Sequence, residues 1–250
     1  AARLAGSCSE MVSAIGAGQG SGVVFDSAAS IDLSCDLTDR DSASSFSAVV
    51  SDYVQLTKPR IVVMILVTTT ATAMIGAGGF VAAPQLFWLL VGTAAVAASA
   101  GAANQLWERV IDCRMTRTAN RPLPAGRVGV MPAAFFTAML GVAGTVLLHF
   151  AFGPIPASVG LATWVLYVLV YTPMKTRTSW NTTVGAVAGA LPVLIGYTAV
   201  GGGFTDWSGW LLVGVLVAWQ YPHFMAIAWM YRRQYAAAGF CMTTTVEPTG

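Results

Sequence analysis

Six long apolar stretches occupy most of this 250-residue chain, and they constrain its fold more than any other feature. They run approximately over residues 61–79, 86–103, 132–150, 156–171, 182–200 and 210–230. A helix needs about 20 apolar residues to cross the hydrocarbon core of a bilayer. Because lipid cannot satisfy open backbone groups, each stretch should be helical. The pattern therefore predicts an all-α integral membrane protein with six transmembrane helices.

The composition agrees with a membrane protein and excludes most soluble classes. Hydrophobic residues make up 56% of the chain and charged residues 10%, with a mean hydropathy of +0.67. Soluble domains carry about 25% charged residues. The net charge is only +2, and no role in binding nucleic acid fits such a chain.

Two regions differ sharply in composition. Residues 1–50 are rich in Ser, Ala and Gly and contain no apolar run long enough for a signal peptide. We expect them to form a disordered N-terminal tail. Residues 51–250 hold all six apolar stretches and are interpreted as one transmembrane domain, truncated at its C-terminus.

The loops between the apolar stretches alternate in charge. Lys58 and Arg60 precede the first stretch, Lys175 and Arg177 follow the fourth, and five arginines lie between the second and third. The intervening loops near 79–85, 151–155 and 201–209 contain no Lys or Arg. The positive-inside rule then places the N-terminus and every basic loop in the bacterial cytoplasm, in preference to the matrix side of a mitochondrial inner membrane.

A polar stripe follows the second apolar stretch. Glu108 and Asp112 are the only acidic residues between Tyr53 and Thr205, and Asn104 lies four residues before them. On a helix these three side chains share one face. Polar groups near membrane depth are costly and usually functional. The alternative is a solvated helix end whose carboxylates pair with nearby arginines.

Five arginines lie within this stripe or just after it, and they suggest an anionic ligand. They are Arg109, Arg114, Arg117, Arg121 and Arg127. Magnesium is usually held by one or two carboxylates together with substrate phosphates. The combination predicts a magnesium-bound anionic substrate at the membrane surface.

The motifs in this region resemble a known family. Asn104-Gln-Leu-Trp-Glu-Arg-Val-Ile-Asp112, followed by Cys-Arg-Met-Thr-Arg-Thr-Ala-Asn-Arg-Pro-Leu, resembles the first signature of the UbiA-type intramembrane prenyltransferases. More narrowly, the chain is similar to the protoheme IX farnesyltransferase (haem O synthase) branch. Leu56-Thr-Lys-Pro-Arg60, Tyr171-Thr-Pro-Met-Lys175 and Trp219-Gln-Tyr-Pro-His-Phe224 fit that branch as well.

The resemblance implies a fold, a reaction and a set of partners. The fold would be a UbiA-like helical bundle, with six transmembrane helices present of an expected nine. The reaction would transfer a farnesyl group from farnesyl diphosphate to a vinyl group of haem B, giving haem O, with Mg2+ as cofactor. Partners would be farnesyl diphosphate, haem B, the lipid bilayer, and haem A synthase or oxidase assembly factors.

The resemblance also assigns candidate site residues, which we expect to converge on one polar cavity. Asn104, Glu108 and Asp112 would be catalytic and would ligate the metal with Gln234. The residues expected to bind the diphosphate are Arg117, Arg121, Lys175, Arg177, Arg232, Arg233 and Tyr235. His223 would position the haem, since imidazole is a common axial ligand of haem iron. Taken alone, His223 would favour a hydrogen-bonded core histidine, and the resemblance makes haem positioning an equal alternative.

The chain departs from the family pattern at two positions. Glu108 stands where the first signature usually has Asp, and Gln234 replaces the acid expected within Tyr231-Arg-Arg-Gln-Tyr235. Two alternatives therefore stay open. One is a polyprenyltransferase for an aromatic quinone precursor or a chlorophyll-type acceptor, and the other is a non-catalytic membrane paralogue.

Overall fold

The computed structural model describes residues 46–241, and within this range every regular element is helical. The elements in chain order are α1 Phe46–Leu56, α2 Pro59–Gly76, α3 Ala83–Asp112, α4 Val130–Phe152, α5 Pro154–Met174, α6 Asn181–Ala190, α7 Pro192–Ala199, α8 Trp207–Met230 and α9 Arg232–Ala238. The segment predicted as a tail lies outside the described residues, except for its last residues, 46–50, which begin α1.

Six helical segments of the described range are long and apolar enough to cross a membrane, so that prediction is confirmed. They are α2, α3, α4, α5, the pair α6–α7, and α8. The second span continues as a helix beyond the apolar stretch to Asp112, as the helical interpretation of the polar stripe predicts. Its polar end stays helical because Asn104, Glu108 and Asp112 are buried against other parts of the bundle.

Two of the spans are interrupted near a proline. In α5 the residues Leu166–Tyr171 form a π-helical turn, just before Pro173, which cannot donate a helical hydrogen bond. The hydroxyl of Thr172 donates to the carbonyl of Tyr167 at 2.9 Å across this turn. The fifth span breaks between Ala190 and Pro192, where α6 ends and α7 begins. Both interruptions lie inside segments that are long and apolar enough to cross a membrane.

The core lies around α7, whose eight residues are all buried. Helices α2, α5 and α8 pack against it, and α3 packs along α4 for most of its length. The side chains of Leu89, Leu148, Leu194 and Ile195 are almost fully enclosed in this core. In a bilayer the alternative environment for these side chains is lipid, so the core is stabilised by close van der Waals packing and not by removal from water.

The Gly185-x-x-x-Gly189 motif on α6 serves close packing, as its sequence predicts. A Cβ atom at Gly185 would lie 2.7 Å from the ring of Tyr171 on α5. A Cβ atom at Gly189 would lie 2.5 Å from the amide of Gln220 on α8. The two glycines therefore let α6 contact one helix on each side, and Gly185 fixes the position of Tyr171.

Candidate active site

A polar cavity of about 180 Å³ lies at the end of the bundle that carries the basic loops. It is formed by the start of α2, the last turns of α3 and α5, the loop after α3, and α9. Its lining residues are Lys58, Ile61, Asn104, Glu108, Asp112, Met115, Arg117, Arg121, Tyr171, Lys175, Tyr235 and Phe240. Every segment of the cavity comes from the same side of the membrane domain.

The end of α3 provides the acidic side of this cavity. Asn104, Glu108 and Asp112 are spaced four residues apart, so they project from one face of the helix. Their exposed fractions are 0%, 5% and 2%. A solvated helix end would leave such groups in water, so the burial of all three residues is against that part of the alternative. The expected pairing of a carboxylate with a nearby arginine is present at Asp112.

Both carboxylates form ion pairs with residues distant in sequence. Nζ of Lys175, just after α5, lies 2.7 Å from Oε1 of Glu108. Arg121 in the loop after α3 donates from Nη1 to Oδ2 of Asp112 at 2.6 Å. The hydroxyl of Thr118 donates to the backbone carbonyl of Asp112 at 2.9 Å, which holds the loop against the helix end. Each carboxylate is thus already positioned by a cation.

Lys58 enters the cavity from an unusual backbone conformation. With φ 54° and ψ 60° it is the only non-glycine residue of the described range with a positive φ. Left-handed backbone costs roughly 1–2 kcal/mol for residues with a Cβ atom. Pro59 follows directly and disfavours the right-handed helical region at residue 58. The turn directs Nζ of Lys58 to Oδ1 of Asn104, to which it donates a hydrogen bond.

Aromatic rings and the C-terminal end of the described chain close the cavity. Nζ of Lys175 lies 4.6 Å from the centre of the Tyr171 ring, and the guanidinium of Arg117 lies 5.0 Å from that of Tyr231. The backbone N–H of Cys241 donates to the carbonyl of Lys175 at 2.7 Å. These contacts dock α9 and the residues after it onto the Lys175 loop, which places Tyr235 in the lining.

Positive charge exceeds negative charge in this cavity. Its lining contains four basic side chains against two carboxylates. Within residues 46–241, neither Lys58 nor Arg117 forms an ion pair with a carboxylate. Burial lowers the pKa of Lys58, because an enclosed ammonium loses its hydration. Burial acts in the same direction on Lys175, but the Glu108 carboxylate together with Tyr171 and Tyr167 outweighs it and raises the pKa of Lys175. The cavity is therefore suited to a multiply charged anion.

The structure brings together seven of the candidate site residues as lining of one cavity. They are Asn104, Glu108, Asp112, Arg117, Arg121, Lys175 and Tyr235. Arg177 and Arg233 are exposed on the same side of the bundle and do not line it. Arg232 packs over the ring of Trp229 at 4.5 Å. Gln234 lies one residue before Tyr235, outside the lining, and His223 is exposed on α8 with its ring stacked on Trp219.

Several lining residues were not among the predicted site residues. Lys58 and Tyr171 belong to the motifs Leu56–Arg60 and Tyr171–Lys175, so their position beside basic loop residues was the available signal. Met115 lies between Asp112 and Arg117 in the first signature, so the same signal was available for it. Phe240 carries no such signal, because nothing in its sequence neighbourhood separates it from other apolar residues. The place of Met115 and Phe240 in the lining depends on how the loop and α9 fold back.

The donor groups fit a magnesium ion that shares its coordination with phosphate. In the described range no three His, Cys, Asp or Glu side chains converge, so the protein alone does not provide a complete ligand set. Glu108, Asp112 and the amide of Asn104 supply the hard oxygen atoms that Mg2+ prefers, and substrate phosphates commonly complete its octahedron. The side-chain carbonyl of Gln234 is buried and has no hydrogen-bond partner in residues 46–241, so it is a further oxygen donor in need of a partner.

The sequence of this chain is similar to that of a known protein family and of several named proteins. Residues 65–249 match the UbiA prenyltransferase family. A protein of Rhodopirellula baltica named protoheme IX farnesyltransferase is 64% identical over 197 residues, which cover 79% of this chain and 69% of that protein. A protein of Solibacter usitatus with the same name is 43% identical over 212 residues, covering 79% of this chain and 70% of its own.

Solved structures share the fold at low sequence identity. A digeranylgeranylglyceryl phosphate synthase superposes with a TM-score of 0.67 at 15% identity, covering 79% of this chain and 68% of that one. A UbiA homologue from Archaeoglobus fulgidus, solved with DMAPP and Mg2+, gives a TM-score of 0.63 at 17% identity and covers 77% and 68% of the two chains. The chain is thus an integral membrane protein with six apolar spans in its described part, and it belongs to the UbiA prenyltransferase family.

Proposed function

We propose that this protein transfers a farnesyl group from farnesyl diphosphate to a vinyl group of haem B and so forms haem O. The observation that carries the proposal is the buried cavity in which four basic side chains surround two carboxylates. Such a cavity suits a diphosphate, and its position at the end of a membrane bundle leaves the prenyl chain among apolar helices. The similar proteins named protoheme IX farnesyltransferase support haem B as the acceptor.

The basic residues of the cavity bind the diphosphate in this proposal. Lys58 and Arg117 are available because no carboxylate of the described chain pairs with them. Arg121 and Lys175 contact the diphosphate while keeping Asp112 and Glu108 in place, and the Tyr235 hydroxyl is a further donor. Arg177, Arg232 and Arg233 form an outer group that attracts the anion towards the cavity through the field of their charges.

Asn104, Glu108 and Asp112 are the residues that would hold Mg2+ beside the diphosphate, with Gln234 as a further ligand. When bound, the ion supplies positive charge that stabilises the charge developing on the leaving group. The unpartnered carbonyl oxygen of Gln234 supports its inclusion. Lys175 and Arg121 hold the two carboxylates 2.7 Å and 2.6 Å away, so both are oriented before substrate arrives.

The chemistry begins with cleavage of the bond between the farnesyl C1 atom and the diphosphate oxygen. The electron pair leaves with the diphosphate, where the cationic side chains stabilise it. The π electrons of the haem vinyl group then attack the allylic cation and form the new carbon–carbon bond. Water adds to the cation left on the haem side chain and loses a proton, which gives the hydroxyethylfarnesyl group of haem O.

His223 is proposed to position the haem. Its imidazole is exposed on α8 and stacks on Trp219 with ring centres 5.0 Å apart. Stacking restrains the plane of the ring, and imidazole is a common axial ligand of haem iron.

The membrane arrangement is part of the same proposal. We place the N-terminus and the basic loops in the cytoplasm and the protein in a bacterial inner membrane, since all Lys and Arg of the described loops lie on one side. Association with haem A synthase or oxidase assembly factors would pass the product on without its leaving the membrane.

The proposal is tested with purified protein, farnesyl diphosphate, haem B and Mg2+, with products identified by mass. We expect a product with the mass of haem O, and its loss in Asp112→Asn. Substituting Arg114, an exposed arginine outside the cavity, by Gln should leave turnover close to wild type. Prenylation of an aromatic quinone precursor or of a chlorophyll-type acceptor in place of haem B would overturn the assigned acceptor, and no prenyl transfer to any of them would support a non-catalytic protein.

A further inference from the structure

A second and larger concavity lies on the opposite face of α3. This outer groove has a volume of about 890 Å³ and is bounded by residues 99–109 of α3, 130–146 of α4 and 161–169 of α5. The buried side chains of Ala100, Ala103 and Val168 pack together between α3 and α5. These three side chains separate the outer groove from the polar cavity. The outer groove is therefore not an extension of the proposed active site.

Ser99, Thr145 and Trp164 line the outer groove, and their hydrogen-bond donors are already used within the bundle. The hydroxyl of Ser99 donates to the carbonyl of Thr137 at 2.8 Å, and the indole N–H of Trp164 donates to that hydroxyl at 3.0 Å. Thr145 donates to the carbonyl of Gly141 at 2.8 Å. Because these donors are already used within the bundle, the groove favours an apolar occupant.

Charge is present at only one end of the outer groove. Arg109 lines it at the end nearest the basic loops, and within the described residues its guanidinium forms no ion pair with a carboxylate. From Ser99 to Arg109 the helix rises about 15 Å. This is about half of the roughly 30 Å hydrocarbon core, so the lining stretch of α3 matches the depth of one leaflet.

We propose that the outer groove binds an anionic phospholipid from the leaflet on the basic-loop side. One acyl chain lies in the groove against α3, α4 and α5, and the headgroup phosphate accepts hydrogen bonds from Arg109. The negative phosphate of such a lipid lies at the membrane surface, where the groove has Arg109. Its acyl chain extends into the bilayer, where the wall of the groove is apolar. Farnesyl diphosphate does not fit here as a substrate, since the Ala100, Ala103 and Val168 wall would keep its reactive end from the carboxylates.

The test measures lipid retention by native mass spectrometry of the purified protein, with phosphatidylglycerol and phosphatidylcholine of identical chains. Wild type should retain one phosphatidylglycerol in preference to phosphatidylcholine. Ala138→Trp places an indole in the groove from an exposed position on α4 and should abolish retention. Ala143→Trp is the matched control, because Ala143 is exposed on the same helix and does not line the groove.

A second pair of variants tests the charge. Arg109→Gln should weaken phosphatidylglycerol binding about tenfold, as expected for loss of a charge-assisted hydrogen bond, and leave phosphatidylcholine unaffected. Arg114→Gln makes the same charge change outside the groove and should have no effect. Equal retention of both lipids, or unchanged retention in Ala138→Trp or Arg109→Gln, would overturn the proposal. Displacement of the lipid by farnesyl diphosphate, or loss of a dimer in Ala138→Trp, would also overturn it, because the groove would then hold substrate or a second copy.

Discussion

At the scale of single residues, Lys58 contributes a charge that ordinary sequence patterns do not reveal. Its place in the cavity depends on a left-handed backbone between α1 and α2, a conformation that usually selects glycine. The stripe of Asn104, Glu108 and Asp112 could be predicted, because helical spacing alone puts the three side chains on one face. Helical periodicity could not place Lys58, since it does not reveal the conformation of a two-residue turn. The motif Leu56–Arg60 was the only signal in the sequence for this residue.

The lowered pKa of Lys58 predicts an alkaline limit on substrate binding. As the pH rises towards 10.5, its ordinary value, the buried ammonium should lose its proton earlier than other lysines. The KM for farnesyl diphosphate should therefore increase on the alkaline side. Lys58→Arg keeps the charge and should move this increase to higher pH. Lys175 cannot cause the same limit, because its pKa is raised.

Loss of the Lys58 proton should raise the stability of the folded protein, although it weakens substrate binding. Between the lowered pKa and 10.5, the unfolded chain binds more protons at residue 58 than the native chain, so the free energy of unfolding rises with pH. Binding that weakens while the thermal midpoint rises would thus identify Lys58 as the titrating group. An alkaline limit that stays in place in Lys58→Arg would show that another group is responsible.

The two histidines provide a matched pair for the haem proposal. Both are exposed, but His223 lies on α8 beside Trp219 and His149 lies near the non-basic end of α4. We expect His223→Ala to weaken haem binding at least about tenfold. Loss of a residue that only hydrogen-bonds to a metal ligand already lowers metal affinity by about that factor. Titration of haem B followed by its absorption spectrum measures this. His149→Ala should bind haem like wild type, and equal losses in both variants would argue against a specific ligand.

At the scale of helices, the π turn of α5 and the glycine opposite it determine where Tyr171 lies. The apolar stretch predicted this span, and the structure confirms it as Pro154–Met174. The π turn could not be predicted, because six apolar or aromatic residues suit an ordinary α-helix equally well. Tertiary packing selects it: Thr172 bonds both to Tyr167 within α5 and to the amide of Asn104 on α3.

Gly185→Ala tests whether the position of Tyr171 matters for activity. The new Cβ atom would lie 2.7 Å from the Tyr171 ring, which must shift together with Lys175 above it. Overpacking of this kind costs about 1–3 kcal/mol of stability. Turnover should fall by about tenfold to a hundredfold, since small misplacements of binding groups have effects of that size. Thermal unfolding and product formation are measured on the same preparation.

Gly214→Ala on α8 is the control for this substitution. Nothing lies within 4 Å of a Cβ atom at residue 214, so the helix gains an alanine without a clash. Its stability should stay at or slightly above that of wild type, and its turnover should not change. If Gly185→Ala behaves in the same way, the ring of Tyr171 has no part in positioning Lys175.

At the scale of the whole molecule, the polar cavity and its charged lining lie on one side of the bundle. The number of spans and the alternation of basic loops could be predicted, because both depend only on the hydropathy and charge of residues that are neighbours in sequence. The arrangement of the helices around α7 could not, because it depends on contacts between distant segments such as Gly185 with Tyr171.

The orientation of this one-sided molecule can be measured with introduced cysteines. Asn120 lies exposed in the loop after α3, and Thr205 lies exposed in the loop before α8, on the opposite side. In intact bacterial cells, a membrane-impermeant maleimide should add label to Thr205→Cys above the background of the unsubstituted protein. Asn120→Cys should gain label only after the cells are permeabilised. The reverse pattern would place the basic loops outside the cell.

The position of the polar cavity at one end of the bundle also has an electrical consequence. Its charged lining comes from the ends of α3 and α5, from the adjoining loops and from α9, so a diphosphate would enter and leave through the same aqueous face. Moving one charge fully across a membrane changes its energy by about 2.3 kcal/mol per 100 mV. Here no substrate charge crosses the bilayer during the cycle. Turnover should consequently proceed at the same rate in energised and in depolarised membranes.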